Sequence, residues 1–314
     1  MGKWNKGHVY RDRIAAADAG VSLINFYSRR YAHSTEGEWR ERIRVGRVRV
    51  NGAIAPPETR LRNGDLLEWR RPPWQEPDAP DAFEVITLED SFLIVGKPSG
   101  LPVLPGAGFM ENTLLWRVRD QFGAACIPVH RLGRWTSGAV LFARTGPAAR
   151  YLGRAMQAQR FVKIYLALAA GTDIPNSFQV NIPIGPVAYS PLGTLHAASA
   201  QGRPAHSRVE VLCRFPERNS SLVQVTITTG RPHQIRIHLA AAGYPLTGDP
   251  LYGPGGRPRD LGALPGDKGY CLHAWKLGFP HPAVGRDVLA ECPPPEWAKQ
   301  AAADPRACPR REPT

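Results

Sequence analysis

The sequence predicts a mixed, largely antiparallel α+β domain with flanking helices, preceded by a small α/β module. Three observations lead there. Period-two alternation recurs in several short segments, and helical spacing is confined to a few stretches between them. A proline-punctuated break, "RRPPWQEPDAP" (Arg70–Pro80), divides an arginine-rich first part from a longer body. At 314 residues the chain can hold one large domain and one small one. The boundaries read as a module with an N-terminal extension over 1–71, a linker over 72–82, a main domain over 83–293 and a tail over 294–314 with at most a short helix.

In the first part, a short helical segment closes at Gly46. "RVRVNG" then alternates into an Asn51-Gly52 hairpin signal, and a second turn, Asn63 to Asp65, precedes another short strand. In the body, "FEVITLEDSFLIVGKPSG" reads as two short strands before a turn. "NTLLWRVRDQF" puts Leu114, Leu115, Val118 and Phe122 on one helical face, with Asn112 as the expected N-cap. "RFVKIYLALAAG" alternates Val162, Ile164, Leu166 and Leu168 against Lys163, Tyr165 and Ala167, which is strand periodicity. "HSRVEVLCRF" and "SLVQVTITTG" alternate likewise. "RPHQIRIHLAAAG" switches to helical spacing, with Pro232 suited to the first turn and Gly243 to the stop.

A net charge of +13, carried almost entirely by arginine, suits a polyanionic partner such as nucleic acid, although arginine-rich composition alone would also produce it. Placement sharpens the reading. Between Arg40 and Arg71 stand nine arginines (40, 42, 44, 47, 49, 60, 62, 70 and 71) against Glu41, Glu58, Asp65 and Glu68. Arginines such as Arg42, Arg44, Arg47 and Arg49 crowd both helix and strand of one small unit, as a phosphate-contacting surface requires.

The cysteines (126, 213, 271, 292 and 308) form no CxxC or Cys/His cluster, so neither a zinc site nor a disulfide framework is expected. Reduced thiols predict an intracellular protein, cytoplasmic or organellar. No apolar run approaches the roughly 20 residues of a membrane span. The first residues, with acids and no apolar core, do not read as a leader. Nothing in the sequence demands more than a monomer.

Three segments could carry chemistry. In "PVHRLGRWTSGAVLFA", His130 and Arg131 follow a strand-like "IPV", and "TSG" reads as a turn; an arginine there can meet phosphate or satisfy loop carbonyls. In "KIYLALAAG", Lys163 and Tyr165 share a strand face, where the tyrosine could stack on a nucleobase, move a proton, or simply fill core. In "TTGRPHQIRIHLAAAGYPLTGDPLYG", Arg231, His233, Arg236 and His238 gather at a helix start that already favours anions. Arg236 could hold a carboxylate or phosphate in bidentate fashion. A metal on His233 and His238 fails, because five residues apart they lie on different helical faces.

Together these segments resemble the RluA-type RNA pseudouridine synthases from about Phe83 to about Pro293, with "LEDSFLIVGKPSGLPVLP", "HRLGRWTSG", "KIYLALAAG" and the long last segment in family order. The first part resembles an S4-type RNA-binding module through its "R…G.V.VNG…GD" run. The resemblance implies an enzyme that flips a uridine out of rRNA or tRNA and rejoins the base to the ribose through C5, with no cofactor or metal. It implies that Arg131 helps displace the base and that Tyr165 packs on the flipped ring and handles the C5 proton. It also implies that Arg236 pairs with the catalytic aspartate.

That aspartate is absent: the family's "HRLD" is "HRLG" here, with Gly133 at the acid's position. The resemblance extends to a subgroup, in plants and photosynthetic microbes, that carries "HRLG" with the other motifs intact. Glycine can neither attack C1′ nor accept a proton, and an unpartnered buried Arg236 would be costly. A phosphate, a water, or a carboxylate such as Asp249, Asp120 or Glu210 would have to compensate. Two readings compete: a working synthase with a replaced acid, or a catalytically inactive protein that grips and remodels RNA. A base-stacking pocket favours the first and Gly133 the second.

Overall fold

A computed structural model describes residues 3–31 and 33–303. The chain divides between Pro77 and Asp78 into two compact units. The first contains strand β1 (His8–Arg13), helices α1 (Leu23–Arg30) and α2 (Glu36–Arg44), and strands β2 (Val48–Val50), β3 (Ala53–Ile54) and β4 (Leu66–Arg71). Its sheet runs β1-β4-β2-β3, all antiparallel. Asn51 and Gly52 both adopt positive φ (51° and 83°), as the tight turn between β2 and β3 requires. Thr35 and Glu38 close a capping box at the start of α2. Tyr27, Trp39, Ile43 and Leu67 form the core.

In the second unit come β5 (Glu84–Leu88), β6 (Phe92–Lys97), α3 (Leu114–Phe122), β7 (Ile127–Pro128), β8 (Ser137–Ala143), α4 (Gly146–Gln157), β9 (Val162–Ala170) and β10 (Ser177–Val180). They are followed by β11 (Ile184–Tyr189), β12 (Gly193–Ala198), β13 (Ser207–Phe215), β14 (Ser220–Ile227) and α5 (Gln234–Ala241). The remainder is β15 (Tyr252–Gly253), β16 (Arg257–Pro258), β17 (Leu272–Pro280), β18 (Asp287–Glu291) and α6 (Glu296–Ala303). The main sheet runs β10-β13-β14-β9-β17-β8-β6-β5, with β18 also on β17 and β7 on β8. Its neighbours are antiparallel except β17 and β8, which run parallel over two residue pairs. There Gly138, at φ 114°, lies so close to the Ala274 backbone that no side chain fits.

Helices cover both faces. Leu114 and Val118 of α3 and Ile235 and Leu239 of α5 share a core with Tyr165, Ala167 and Val225. On the other face Leu152 of α4 packs with Phe92 and Leu141, and Ala298 of α6 with Leu166, Cys213 and Leu222. The predicted tail therefore begins with a docked helix, held by burial of its apolar side. Residues 304–314, including Cys308, lie outside the described residues; the other four cysteines are free thiols. Among the described residues no helix is long and apolar enough to cross a membrane.

Local expectations needed correction at three points. Thr113, not Asn112, caps α3, its side chain accepting from Trp116 N at 3.2 Å; both are cap-forming types and stand side by side. The turn expected at "TSG" closes one step earlier, with Thr136 N donating to Gly133 O, and Ser137 and Gly138 already belong to β8. Pro232 precedes α5 rather than sitting in its first turn, because His233 intervenes as an N-cap with left-handed φ of 55°. On β9 the expected period of two holds; its Tyr165/Ala167 side packs with α5, and Val162 on the other side is exposed.

Candidate active site

Four segments of the second unit surround one cavity of about 330 Å³, which lies within the range of small-molecule sites. The β7–β8 loop brings His130, Arg131, Gly133 and Thr136; β9 brings Lys163 and Tyr165. The β14–α5 loop and the start of α5 bring Arg231, His233, Gln234 and Arg236, and the approach to β17 brings Tyr270. No Asp or Glu lines the cavity among the described residues.

Each wall is pinned by hydrogen bonds that sequence reasoning did not single out. Lys97, fully buried at the end of β6, donates to the carbonyls of Pro98, Leu101 and Arg134, tying the β7–β8 loop to its neighbour. Burial pushes its ammonium down to about 7. Gln234 accepts from Thr229 Oγ1 and Arg231 N and donates to His206 O and Ser207 Oγ, fixing the loop that enters α5. Its signal was its place inside "HQIR", between more conspicuous charges.

Of the expected donors, Arg236 is the most constrained. Its Nε and Nη2 each donate to Asp249 at 2.7 Å, with side-chain exposures of 2% and 0%. Burial alone would lower the guanidinium's pKa, and the carboxylate more than offsets it, leaving the pKa raised. Asp249 also accepts from the backbone N–H groups of Leu251 and Tyr252. All its capacity is spent on structure, and it does not line the cavity. Asp120 and Glu210 do not line it either; Glu210 pairs with Arg208 and Gln224. The costly orphan charge is thus avoided, and among the described residues none of these three carboxylates reaches the cavity beside Gly133.

The four donors expected at the helix start do not all gather there. His238 sits in the last turn of α5, buried between Ser207 Oγ and Ile182 O. His233 does reach the cavity. Its Nδ1 lies 2.7 Å from the Tyr252 hydroxyl, which itself donates to His196 O. Both contacts are met when His233 Nδ1–H donates, leaving Nε2 unprotonated. Burial and then Arg236 hold this ring neutral, its pKa pushed down to about 3. His130 accepts from Leu141 N and is likewise neutral, burial and then Lys163 lowering it to about 3. It therefore offers no cation to phosphate.

Lys163 is buried and donates to Thr229 O at 3.1 Å, and burial followed by Arg231 lowers it to about 8. It braces the wall rather than reaching outward. Arg231 is half-buried with Nε on Pro204 O. Arg131 is exposed at the cavity and makes no ion pair among the described residues. Tyr165 is 8% exposed, and burial raises its hydroxyl's pKa.

In the first unit, Arg42 and Arg47 share a smaller cavity of about 150 Å³ with Trp69, Arg71 and Trp74. Arg42 lies 4.5 Å over the Trp39 ring and Arg71 3.5 Å over Trp74. Arg44 and Arg49 are not part of this group: Arg44 is bound twice to Glu41, and Arg49 bonds Gly52 O at the hairpin turn. Among the described residues no cluster of His, Cys, Asp and Glu could hold a metal ion.

A family model described as RNA pseudouridylate synthase matches residues 91–241. An uncharacterized RNA pseudouridine synthase of Synechocystis sp. is 42% identical over 87% of this chain and 94% of that protein. The dual-specificity RNA pseudouridine synthase RluA of Pasteurella multocida is 34% identical over 68% and 93%. The chain belongs to the RluA-type family of RNA pseudouridine synthases. RNA pseudouridine synthase 5 of Arabidopsis thaliana is 38% identical over 88% of this synthase and 89% of its own length. The structure of human RNA pseudouridylate synthase domain containing 1 shares the fold, with a TM-score of 0.57 and 24% identity, covering 75% of this synthase and 91% of that chain.

Proposed function

We propose that this synthase isomerises uridine to pseudouridine in structured RNA, an rRNA or a tRNA, after drawing the nucleotide out of its stack. One observation carries the reading: an open cavity with an aromatic wall at Tyr165, an exposed cation at Arg131 and a fixed guanidinium at Arg236. A uracil inside a helix cannot present C1′ and C5 to a protein, and eversion costs a few kcal/mol. Arg131, exposed and without an ion pair among the described residues, is suited to fill the gap left in the RNA. Tyr165 supplies the face on which the ring lies and a hydroxyl for the C5 proton. The reaction breaks N1–C1′ and forms C5–C1′ with no net oxidation, so no cofactor is called for.

The first unit acts as an S4-like RNA-binding module, with Arg42, Arg47 and Arg71 as its phosphate-facing cations. The inactive RNA-binding reading finds no support in the cavity, which is open rather than filled. The test is to incubate the purified protein with cellular RNA and map pseudouridine chemically. Site-specific product is expected, and its absence with all RNA classes would overturn the assignment.

A further inference from the structure

The empty position at Gly133 has a neighbour. A Cβ placed on Gly133 would meet the Tyr270 hydroxyl oxygen at 3.3 Å and Thr136 Oγ1 at 3.5 Å. Any acid side chain growing from residue 133 would enter the space beside that phenol. Tyr270 comes from a distant part of the chain, two residues before β17, and lines the same cavity. Its side chain is 7% exposed, yet its hydroxyl has no hydrogen-bond partner among the described residues. The Tyr270 hydroxyl is open to the cavity, where a bound substrate can meet it.

Other oxygens at the cavity fit less well. Asp249 is consumed by Arg236 and two backbone amides. Thr136 offers an alcohol, a far weaker acid than a phenol. The Tyr165 hydroxyl is not within 4 Å of the position a Cβ on Gly133 would take. Tyr270, in contrast, has the Arg236 guanidinium 4.2 Å over its ring. That cation is fixed by Asp249 and lies against the face of the ring, holding the phenol in position.

We propose that the Tyr270 hydroxyl replaces the missing aspartate as the group acting on the ribose, an inference that rests on the pseudouridine synthase reading. The phenol oxygen bonds to C1′ as the N1–C1′ bond breaks, and that bond's electron pair leaves with the uracil. The phenolic proton passes to the departing base, giving neutral uracil. After the base turns, the C5 electron pair bonds to C1′ and the C1′–O bond breaks, returning its pair to the Tyr270 oxygen. The C5 proton then restores the phenol through the Tyr165 hydroxyl. Atoms and charges balance, and the product is pseudouridine. A tyrosine nucleophile is an established device for opening glycosidic bonds.

The test compares the full-length wild type with Tyr270→Phe and Tyr270→Phe/Gly133→Asp on total cellular RNA, reading mapped pseudouridine and melting temperature. Tyr270→Phe removes an oxygen with no partner, so the melting point is expected to hold while product falls about a hundredfold or more. The double variant, with room for a carboxylate where the hydroxyl was, is expected to recover product. Its pH–rate profile should move to the acid side, because a carboxylic acid is a stronger acid than a phenol. Full product from Tyr270→Phe overturns the inference and leaves the synthase reading intact. A folded double variant with no recovery also overturns it. An inactive wild type overturns the synthase reading and this inference with it.

Discussion

The two arginine-lined cavities of this protein use positive charge in opposite ways. In the second unit, Arg236 is locked by two bonds to a carboxylate with no exposure, and its neighbours Lys163, His130 and His233 are all held toward neutrality. In the first, Arg42 and Arg71 lean on tryptophan faces beside Arg47, and Arg40, Arg44 and Arg70 pair with glutamates at the surface of the unit. Buried polar groups fix geometry because a wrong arrangement is expensive. Surface arginines, being screened and mobile, supply attraction without precision. On the proposed function, reaction geometry belongs to one unit and grip on RNA to the other.

The sharpest way to break that contrast is to remove a buried cation from one unit and a surface cation from the other. Arg236→Ala strands Asp249 without its partner, and a loss of about 3–5 kcal/mol in urea unfolding is expected, together with loss of product. Arg44→Ala should leave the unfolding curve where it was. Equal effects would show that burial does not distinguish the two regions.

Tyr165→Phe comes next. It keeps the ring that lines the cavity and deletes the hydroxyl, so RNA binding should persist while pseudouridine formation drops about a hundredfold or more. Unchanged product would return Tyr165 to the status of a core residue.

The neutral histidines and depressed lysines make a prediction about pH. His130 and His233 stay unprotonated in the fold down to about 3, whereas the unfolded chain protonates them near 6.5. The unfolded state then binds more protons, and stability falls as pH drops from 6.5 toward 3, by at most about 1.4 kcal/mol per pH unit for each ring. Lys97 and Lys163 lose their protons in the fold near 7 and 8, while unfolded lysine holds its proton to about 10.5. Their contribution therefore also rises with pH, between 7 and 10.5. Chemical denaturation at pH 5, 7 and 9 should show increasing stability, and a maximum at pH 5 would contradict the buried, neutral cavity wall.

The smallest expected effect belongs to the first unit. Replacing Arg42, Arg47 and Arg71 with alanine should weaken RNA binding modestly and evenly across sequences. The slope of log affinity against log salt should shrink by about 0.7–0.9 per lost phosphate contact. An unchanged slope would reduce these arginines to packing partners of Trp39, Trp69 and Trp74.

Much of this was legible before the coordinates, and what was not has identifiable causes. The "NG" turn, the break near Pro77 and the segments that form the cavity depend on local chemistry and short-range pattern. The orientation of β9 was not readable, because α5 covers one of its faces and α6 the other, so alternation carries no preferred side. Strand β17, at the middle of the sheet, reads in "CLHAWKLGFP" as near-continuous burial rather than a period of two. Asp249 was in view as one of several acids, but its pairing with a residue thirteen positions earlier on α5 is a tertiary fact. Tyr270 left no trace at all. Its importance comes from what Gly133 lacks, and only proximity reveals that.

That proximity has a single architectural source. At Gly138 two strands run side by side in the same direction, so two remote stretches of chain arrive at one cavity as fixed neighbours. A reactive oxygen can be delivered to the same spot from either stretch without redrawing the sheet. The scaffold specifies where the chemistry takes place, and leaves open which stretch of chain provides it.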